Sequence, residues 1–215
     1  NRHERKAISR FVKAKSLRPF TVGETQPMIF ADHITDEDTL RRDLPSLYAQ
    51  LVEHKPSLES RYLAAGKRWW QWATVRNLDA VRDAKRSLIW VPCIDRSPVI
   101  RAARTEPGVL AGGDVLAIIP HPDTPEDDRY LLGWLNSSVI NRWYRVKGSR
   151  TGRRIRYTQA YMQRVPLKRI DFTDPVQVAC HDRICEAVTD AERGNITADE
   201  ARARIDERIS TLLDR

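Results

Sequence analysis

Leu132, Leu135, Val139, Trp143 and Val146 recur at intervals of three and four residues, the spacing that puts side chains on one face of a helix. Asp127 and Asp128 precede the run, and Arg145 and Lys147 close it. Acids first and bases last is the order a helix dipole favours. The pattern predicts a helix from Arg129 to about Val146 with one face committed to a core.

The rest of the chain adds short strands and more helices. Met28 to Ala31, Ser87 to Ile94 and Asp114 to Ile119 read as strands from their apolar, β-branched and aromatic content. Gly112-Gly113 marks a turn before the last of them. Leu44, Leu47, Leu51 and Leu58 place a helix over residues 43 to 61, broken or bent near Pro56. Tyr157 to Arg164 reads as a short helix that ends before Pro166. Pro175 to Arg193 predicts a long helix broken by Gly194-Asn195. Thr197-Ala-Asp-Glu200 is a capping box that opens a last helix. The expectation is an α+β fold: a mixed sheet of short strands with flanking helices and a C-terminal helical hairpin.

A length of 215 residues suits one substantial domain or two small ones. No run approaches the roughly 20 apolar residues of a membrane span, so no membrane partner is expected. The chain opens Asn-Arg-His-Glu-Arg-Lys, without an initiator Met, and reads as a piece of a longer polypeptide. Cys93, Cys180 and Cys185 are too few and too odd in number for a disulfide scaffold, which points to a reducing, cytoplasmic setting. They also lack the four-ligand spacing of a zinc site.

Charge is concentrated. From Arg129 to Ile170 there are eleven Lys or Arg and no Asp or Glu, while the remainder carries 26 basic against 29 acidic residues. The densest part runs from Arg145 to Tyr157, with glycines at 148 and 152. A basic segment hinged by glycines suits a polyanion such as a nucleic-acid backbone. The alternatives are a solvated mobile loop, or a surface for an acidic protein.

Catalytic patterns are missing. The sequence has no GxGxxG, no GxxxxGK[ST], no serine elbow and no HExxH. His3, His33, His54, His121 and His181 lie scattered without a matching nucleophile. Recognition has better material. Arginine forks onto guanine or holds phosphate. Gln71, Asn77, Asn136, Asn141 and Gln159 are candidates to read adenine edges. Trp69, Trp70, Trp72 and Tyr157 are candidates to stack on a base, with core packing as the competing reading for the tryptophans.

Several blocks resemble one family. Tyr130-Leu-Leu-Gly-Trp-Leu-Asn-Ser-Ser-Val-Ile-Asn141 is similar to its "YLLxxLNSxxIN" helix. Gly148 to Tyr157, then Tyr161 and Val165-Pro-Leu167, resemble its glycine-basic loop and closing "LPI" segment. Upstream, Pro45-Ser-Leu-Tyr48, Leu51, Lys55-Pro56, Leu58 and Arg61, then Trp72, Arg76 and Ile89-Trp-Val-Pro92, follow in the family's order. The family is the TaqI-like C-terminal specificity domain, the target recognition domain of adenine-specific DNA methyltransferases. It includes Type IIG restriction-modification enzymes and BREX-type methylases. The chain departs from it at Gly152-Arg153, where the family often has paired glycines, and at Val165-Pro-Leu167.

The resemblance implies a recognition module whose catalytic partner lies elsewhere. An N-terminal methyltransferase domain of the same protein would bind S-adenosylmethionine and carry an Asn-Pro-Pro-Tyr/Phe motif; no Asn here is followed by Pro. No cofactor is expected in this chain, and no methyl transfer by it alone. The expected organisation is a basic lead or linker over 1–27, a DNA target recognition domain over 28–172 and a helical hairpin over 173–215. The expected partner is double-stranded DNA. Arg150, Arg153, Arg154 and Arg156 are the expected main contacts, with Lys147 on phosphate and Tyr157 against a base. Arg68, Arg76, Arg96 and Arg101 form a second tier from other loops. The competing expectation is a protein-interaction module whose basic loop docks an acidic partner or a neighbouring domain.

Overall fold

The computed structural model describes residues 2–73, 75 and 78–214. The N-terminal part holds α1 (Arg2–Lys6), β1 (Ile8–Val12), β2 (Gln26–Ile29), α2 (Glu37–Asp43), α3 (Pro45–Glu53) and α4 (Lys55–Ser60). The middle holds α5 (Leu78–Arg82), β3 (Leu88–Pro92), β4 (Ile94–Asp95), β5 (Ala103–Thr105), β6 (Leu110–Ala111) and β7 (Val115–Ile118). Next come α6 (Asp128–Asn136), α7 (Ser138–Lys147), β8 (Ser149–Thr151), β9 (Arg154–Arg156) and α8 (Gln159–Met162). The chain ends in α9 (Pro175–Arg193) and α10 (Ala198–Leu213).

The class is the expected α+β. The strands fall into three small sheets, ordered β2-β1-β6, β5-β3-β7 and β4-β9-β8. β1 pairs antiparallel with β2 and parallel with β6, so the first sheet is mixed. β3 passes almost directly into β4, with Cys93 alone between them. Pro92 has no N–H to donate, the Cys93 N–H still bonds the Asp114 carbonyl beside β7, and the chain then enters the next sheet at Ile94.

All five residues of β3 are buried because it is the middle strand with a core on each side. Ile89 and Val91 face α6, α7, α9 and α10. Leu88 and Trp90 face Phe11, Met28, Leu110 and Val115. A third cluster gathers Ile34, Leu40, Leu44, Leu47, Trp69 and Trp70. The C-terminal hairpin forms as expected. The Thr197–Glu200 capping box is present, Gly194 ends α9 at φ 75°, and Ile184, Val188, Ile205 and Ile209 pack into the first core.

The single helix expected from Arg129 to Val146 is two helices. Ser137 leaves the helical region (ψ 157°), accepts from the Ile140 N–H and donates its hydroxyl to the Trp134 carbonyl. The turn this makes places two buried asparagines over residues 100–102. Asn136 Oδ1 accepts from Ala102 N–H at 3.2 Å, and its Nδ2 donates to the carbonyls of Ala102 and Leu132. Asn141 Oδ1 accepts from Ile100 N–H, and its Nδ2 donates to the Ser137 carbonyl. These two candidates for adenine reading are therefore engaged by the protein's own backbone. Leu132 and Leu135 are buried as expected, but Val146 points to solvent, because α7 starts afresh at Ser138 and resets the face.

The tryptophans also resolve toward the core. Trp69 and Trp70 are buried, edge-on at 5.5 Å. Trp72 is half-buried, stacks on Phe11 and donates to the Ile29 carbonyl. Gln71, another candidate base reader, is buried and donates to the carbonyls of Asp32 and Ile34. Asn77 lies outside the described residues.

Candidate nucleic-acid interface

The basic segment expected as a hinged loop is an ordered hairpin. β8 and β9 pair as Ser149↔Arg156, Arg150↔Ile155 and Thr151↔Arg154. This leaves Gly152-Arg153 as a two-residue turn. Gly152 has φ 59°, and among the described residues no non-glycine except Phe20 has positive φ. Positive φ at the first turn position only is the pattern of a type II′ turn, whose twist matches the strands it joins. β4 adds the third strand, pairing Ile94↔Arg156 and Asp95↔Ile155.

The pleat sorts the side chains. Directly paired residues share a face and neighbours alternate. Ile94, Arg156, Ser149, Arg154 and Thr151 therefore lie on one face, which is turned to solvent. Asp95, Ile155 and Arg150 lie on the other, continued by Tyr157, whose N–H donates to the Cys93 carbonyl. Ile155 packs against the first core.

Gly148 joins α7 to this hairpin through close approach. A Cβ there would lie 2.3 Å from the Tyr144 ring and 2.4 Å from its backbone oxygen. Gly148→Ala is expected to destabilise the protein by about 1–3 kcal/mol, the usual cost of overpacking. Urea unfolding checks this, and a change below about 0.5 kcal/mol would show that the junction can yield.

The arginines divide into engaged and uncommitted groups. Arg86 holds Asp128 at 2.7 Å, Arg104 and Arg129 share Glu192 at 2.9 and 3.2 Å, and Arg169 holds Glu126 at 2.7 Å. By contrast, Arg96, Lys147, Arg153, Arg154 and Arg156 are exposed and make no ion pair or side-chain hydrogen bond among the described residues. Arg154 and Arg156 crown the outer face, Arg153 tips the turn, Lys147 ends α7 and Arg96 directly follows β4. The structure thus brings five of the expected contacts into one region.

Four other expected contacts stand differently, and Arg76 lies outside the described residues. Arg150 is exposed but belongs to the opposite face, where it donates to the Arg145 carbonyl. Arg101 forks onto the buried Asp95 carboxylate at 2.6 and 3.0 Å and also holds the Leu17 carbonyl, so it braces β4. Arg68 sits apart, beside the third core, donating to the Thr35 carbonyl. Tyr157 is 1% exposed, with its ring 4.7 Å from that of Tyr144, and has no face to offer a base.

The Tyr157 hydroxyl is buried with no hydrogen-bond partner among the described residues. Burial first, and the nearby Asp95 second, push its ionisation above the usual tyrosine range. Removing an unpaired buried polar group relieves a desolvation cost. Tyr157→Phe is therefore expected to leave stability unchanged or raise it by about 1 kcal/mol, with thermal unfolding as the check. A loss of 1 kcal/mol or more would reveal a partner for the hydroxyl.

Two other features resemble chemical sites. Cys185, His181 and Asp182 approach a nucleophile–base–acid order, with Sγ 3.9 Å from Nε2 and Nδ1 2.9 Å from the carboxylate. His181 Nε2 already accepts from Asp127 N–H, so it cannot take a thiol proton. Burial pushes the Cys185 thiol up to about 12, which keeps it protonated at neutral pH. A cavity of about 810 Å³ lies between β7 and α6. Among the described residues its lining is apolar apart from Gln159 and Gln163, with no titratable side chain.

Sequence reading missed Ile94, Ser149 and Thr151 on the outer face, and Asp95 beneath it. The signal was the alternation Arg154-Ile155-Arg156-Tyr157, a period-two strand pattern concealed by its charge.

No protein-family profile matches the chain. Its sequence relatives are Type II methyltransferases. M.MjaIV of Methanocaldococcus jannaschii is 31% identical over 196 residues, covering 90% of this chain and 64% of that protein. M.HindII of Haemophilus influenzae is 27% identical over 182 residues, covering 82% of this chain and 35% of that protein. The chain thus spans about two thirds of the first relative and about one third of the second. The fold is shared with the Type IIL restriction-modification enzyme MmeI, solved in complex with DNA. The TM-score is 0.65 at 13% identity, over 99% of this chain and 29% of that one.

Proposed function

We propose that this chain is the target recognition domain of an adenine-specific DNA methyltransferase of a restriction-modification system, of the TaqI-like specificity type. It binds duplex DNA in a sequence-dependent way through the outer face of the β4-β9-β8 sheet. The observation that carries the reading is the cluster of uncommitted cations, with Arg153, Arg154 and Arg156 on the β8-β9 hairpin and Lys147 and Arg96 flanking it. Arg86, Arg101, Arg104, Arg129 and Arg169 are matched to carboxylates, whereas these five cations are left open.

Arg154 and Arg156 project from a paired strand, the placement that fixes a guanidinium for a guanine edge. Lys147 and Arg96 flank them and hold phosphates. The recognition body is residues 28–172, with 1–27 as lead and 173–215 as a brace behind α6. Catalysis, the flipping pocket and S-adenosylmethionine belong to a methyltransferase domain in the rest of the protein. Among the described residues, the cavity beside β7 offers no carboxylate for the ribose hydroxyls and no charged group for the methionine end of that cofactor. The protein acts in the cytoplasm.

The test is selection from a randomised duplex pool, followed by anisotropy across a salt series. Neutralising about five phosphates gives a log K against log salt slope near −4.5. An enriched motif with a steep slope supports the proposal. Binding without a motif reduces it to a general polyanion surface, and no binding at low salt favours an acidic protein partner.

A further inference from the structure

β4 inverts the usual strand pattern. Its apolar residue, Ile94, is 44% exposed, and its charged residue, Asp95, is 7% exposed. A half-covered strand ordinarily turns the apolar side in and the polar side out. The inversion is held in place. The Arg101 fork neutralises the buried carboxylate, and Asp95 Oδ1 also accepts from the Ser97 N–H. A local rule broken with such support marks a functional position more often than an accident.

What surrounds Ile94 narrows the function. It pairs directly with Arg156, which pairs directly with Ser149. Arg154 and Thr151 form the next row of the same face. This face therefore presents one branched aliphatic group among two guanidiniums and two hydroxyls. Ile94 is the single exposed large aliphatic side chain of the sheet, because Ile155 and Tyr157 point inward. A major groove admits a β-ribbon and offers donors, acceptors and one apolar feature, the thymine 5-methyl group.

We infer that Ile94 is a specificity-determining residue that packs against the 5-methyl group of one thymine, beside a base contacted by Arg156. The inference rests on the DNA-recognition reading and adds a chemical partner to it. Asp95 and Arg101 are its positioning residues, since together they turn Ile94 outward.

The test uses the duplex selected by the full chain. Each thymine in turn is replaced by deoxyuridine, which removes the methyl and leaves the pairing edge intact. The native protein is expected to lose about fourfold in affinity at one position, the worth of one buried methyl-sized group. Ile94→Ala is expected to bind the unmodified duplex about fourfold more weakly and to be indifferent to deoxyuridine at that position. Ile94→Val, which keeps the branch, retains most of the discrimination. A native protein that binds its motif with no deoxyuridine-sensitive position overturns the inference and leaves the recognition reading standing. A motif without thymine on either strand contains no adenine either, and overturns both the inference and the adenine-specific part of the proposed function. Equal sensitivity in native protein and Ile94→Ala assigns the methyl contact to another residue. Failure to enrich any motif overturns both readings.

Discussion

Replacing Arg153, Arg154 and Arg156 together by alanine is expected to leave the unfolding transition unchanged and to lower affinity for the selected duplex by on the order of 100-fold or more. None of the three supports the fold through an ion pair or side-chain hydrogen bond among the described residues. Each base-edge contact is worth about 1–3 kcal/mol, so two suffice for the expected loss. The single variants separate the roles. Loss of a base-reading arginine relaxes preference at one position. Loss of a phosphate-holding one weakens binding to all sequences and flattens the salt slope by about one unit. Affinity within about twofold of the native protein in the triple variant would remove the hairpin from the interface.

Asn136→Ala is expected to have the largest effect on stability, about 3 kcal/mol, because it leaves the buried Ala102 N–H without an acceptor and opens a small void. For a chain of this size that corresponds to a fall of roughly 6–12 °C in Tm. The consequence reaches the interface. Asn136 and Asn141 hold residues 100–102, Arg101 lies between those anchor points, and Arg101 holds Asp95 in β4. A buried amide on α6 thus fixes the strand that carries Ile94. A loss below about 1 kcal/mol would mean that the segment is held by the Phe20 N–H to Ala102 carbonyl bond and by packing.

The helices were largely legible in the sequence because their signals are local. Thr197 and Glu200 are three residues apart, and α9 runs from Pro175 to Arg193 as its punctuation indicates. The break at Ser137 was hidden because Leu132 to Val146 keeps helical spacing across it. The break depends on hydrogen bonds to residues 100–102, about 34 to 41 positions away in sequence. The basic hairpin was legible as a surface and illegible as a sheet. Its third strand comes from residues 94 and 95, and no local pattern joins these to residues 154–156. The same distance concealed the assignment of Arg101. Its partner Asp95 is six residues upstream, a spacing with no meaning in either a helix or a strand. Tyr157 looked like a stacking aromatic because it ends a basic run, yet strand alternation turns it inward.

The central claim is that the outer face of the β4-β9-β8 sheet meets DNA. An NMR titration of the chain with its selected duplex, following arginine side-chain N–H and isoleucine methyl signals, tests it most directly. Saturable shifts are expected at Arg153, Arg154, Arg156 and the Ile94 methyl groups. Arg101 Nε–H, Ile155 and the buried isoleucines of α9 and α10 should stay in place. Shifts confined to α9, α10 or the cavity beside β7, with the hairpin arginines unmoved, would contradict it.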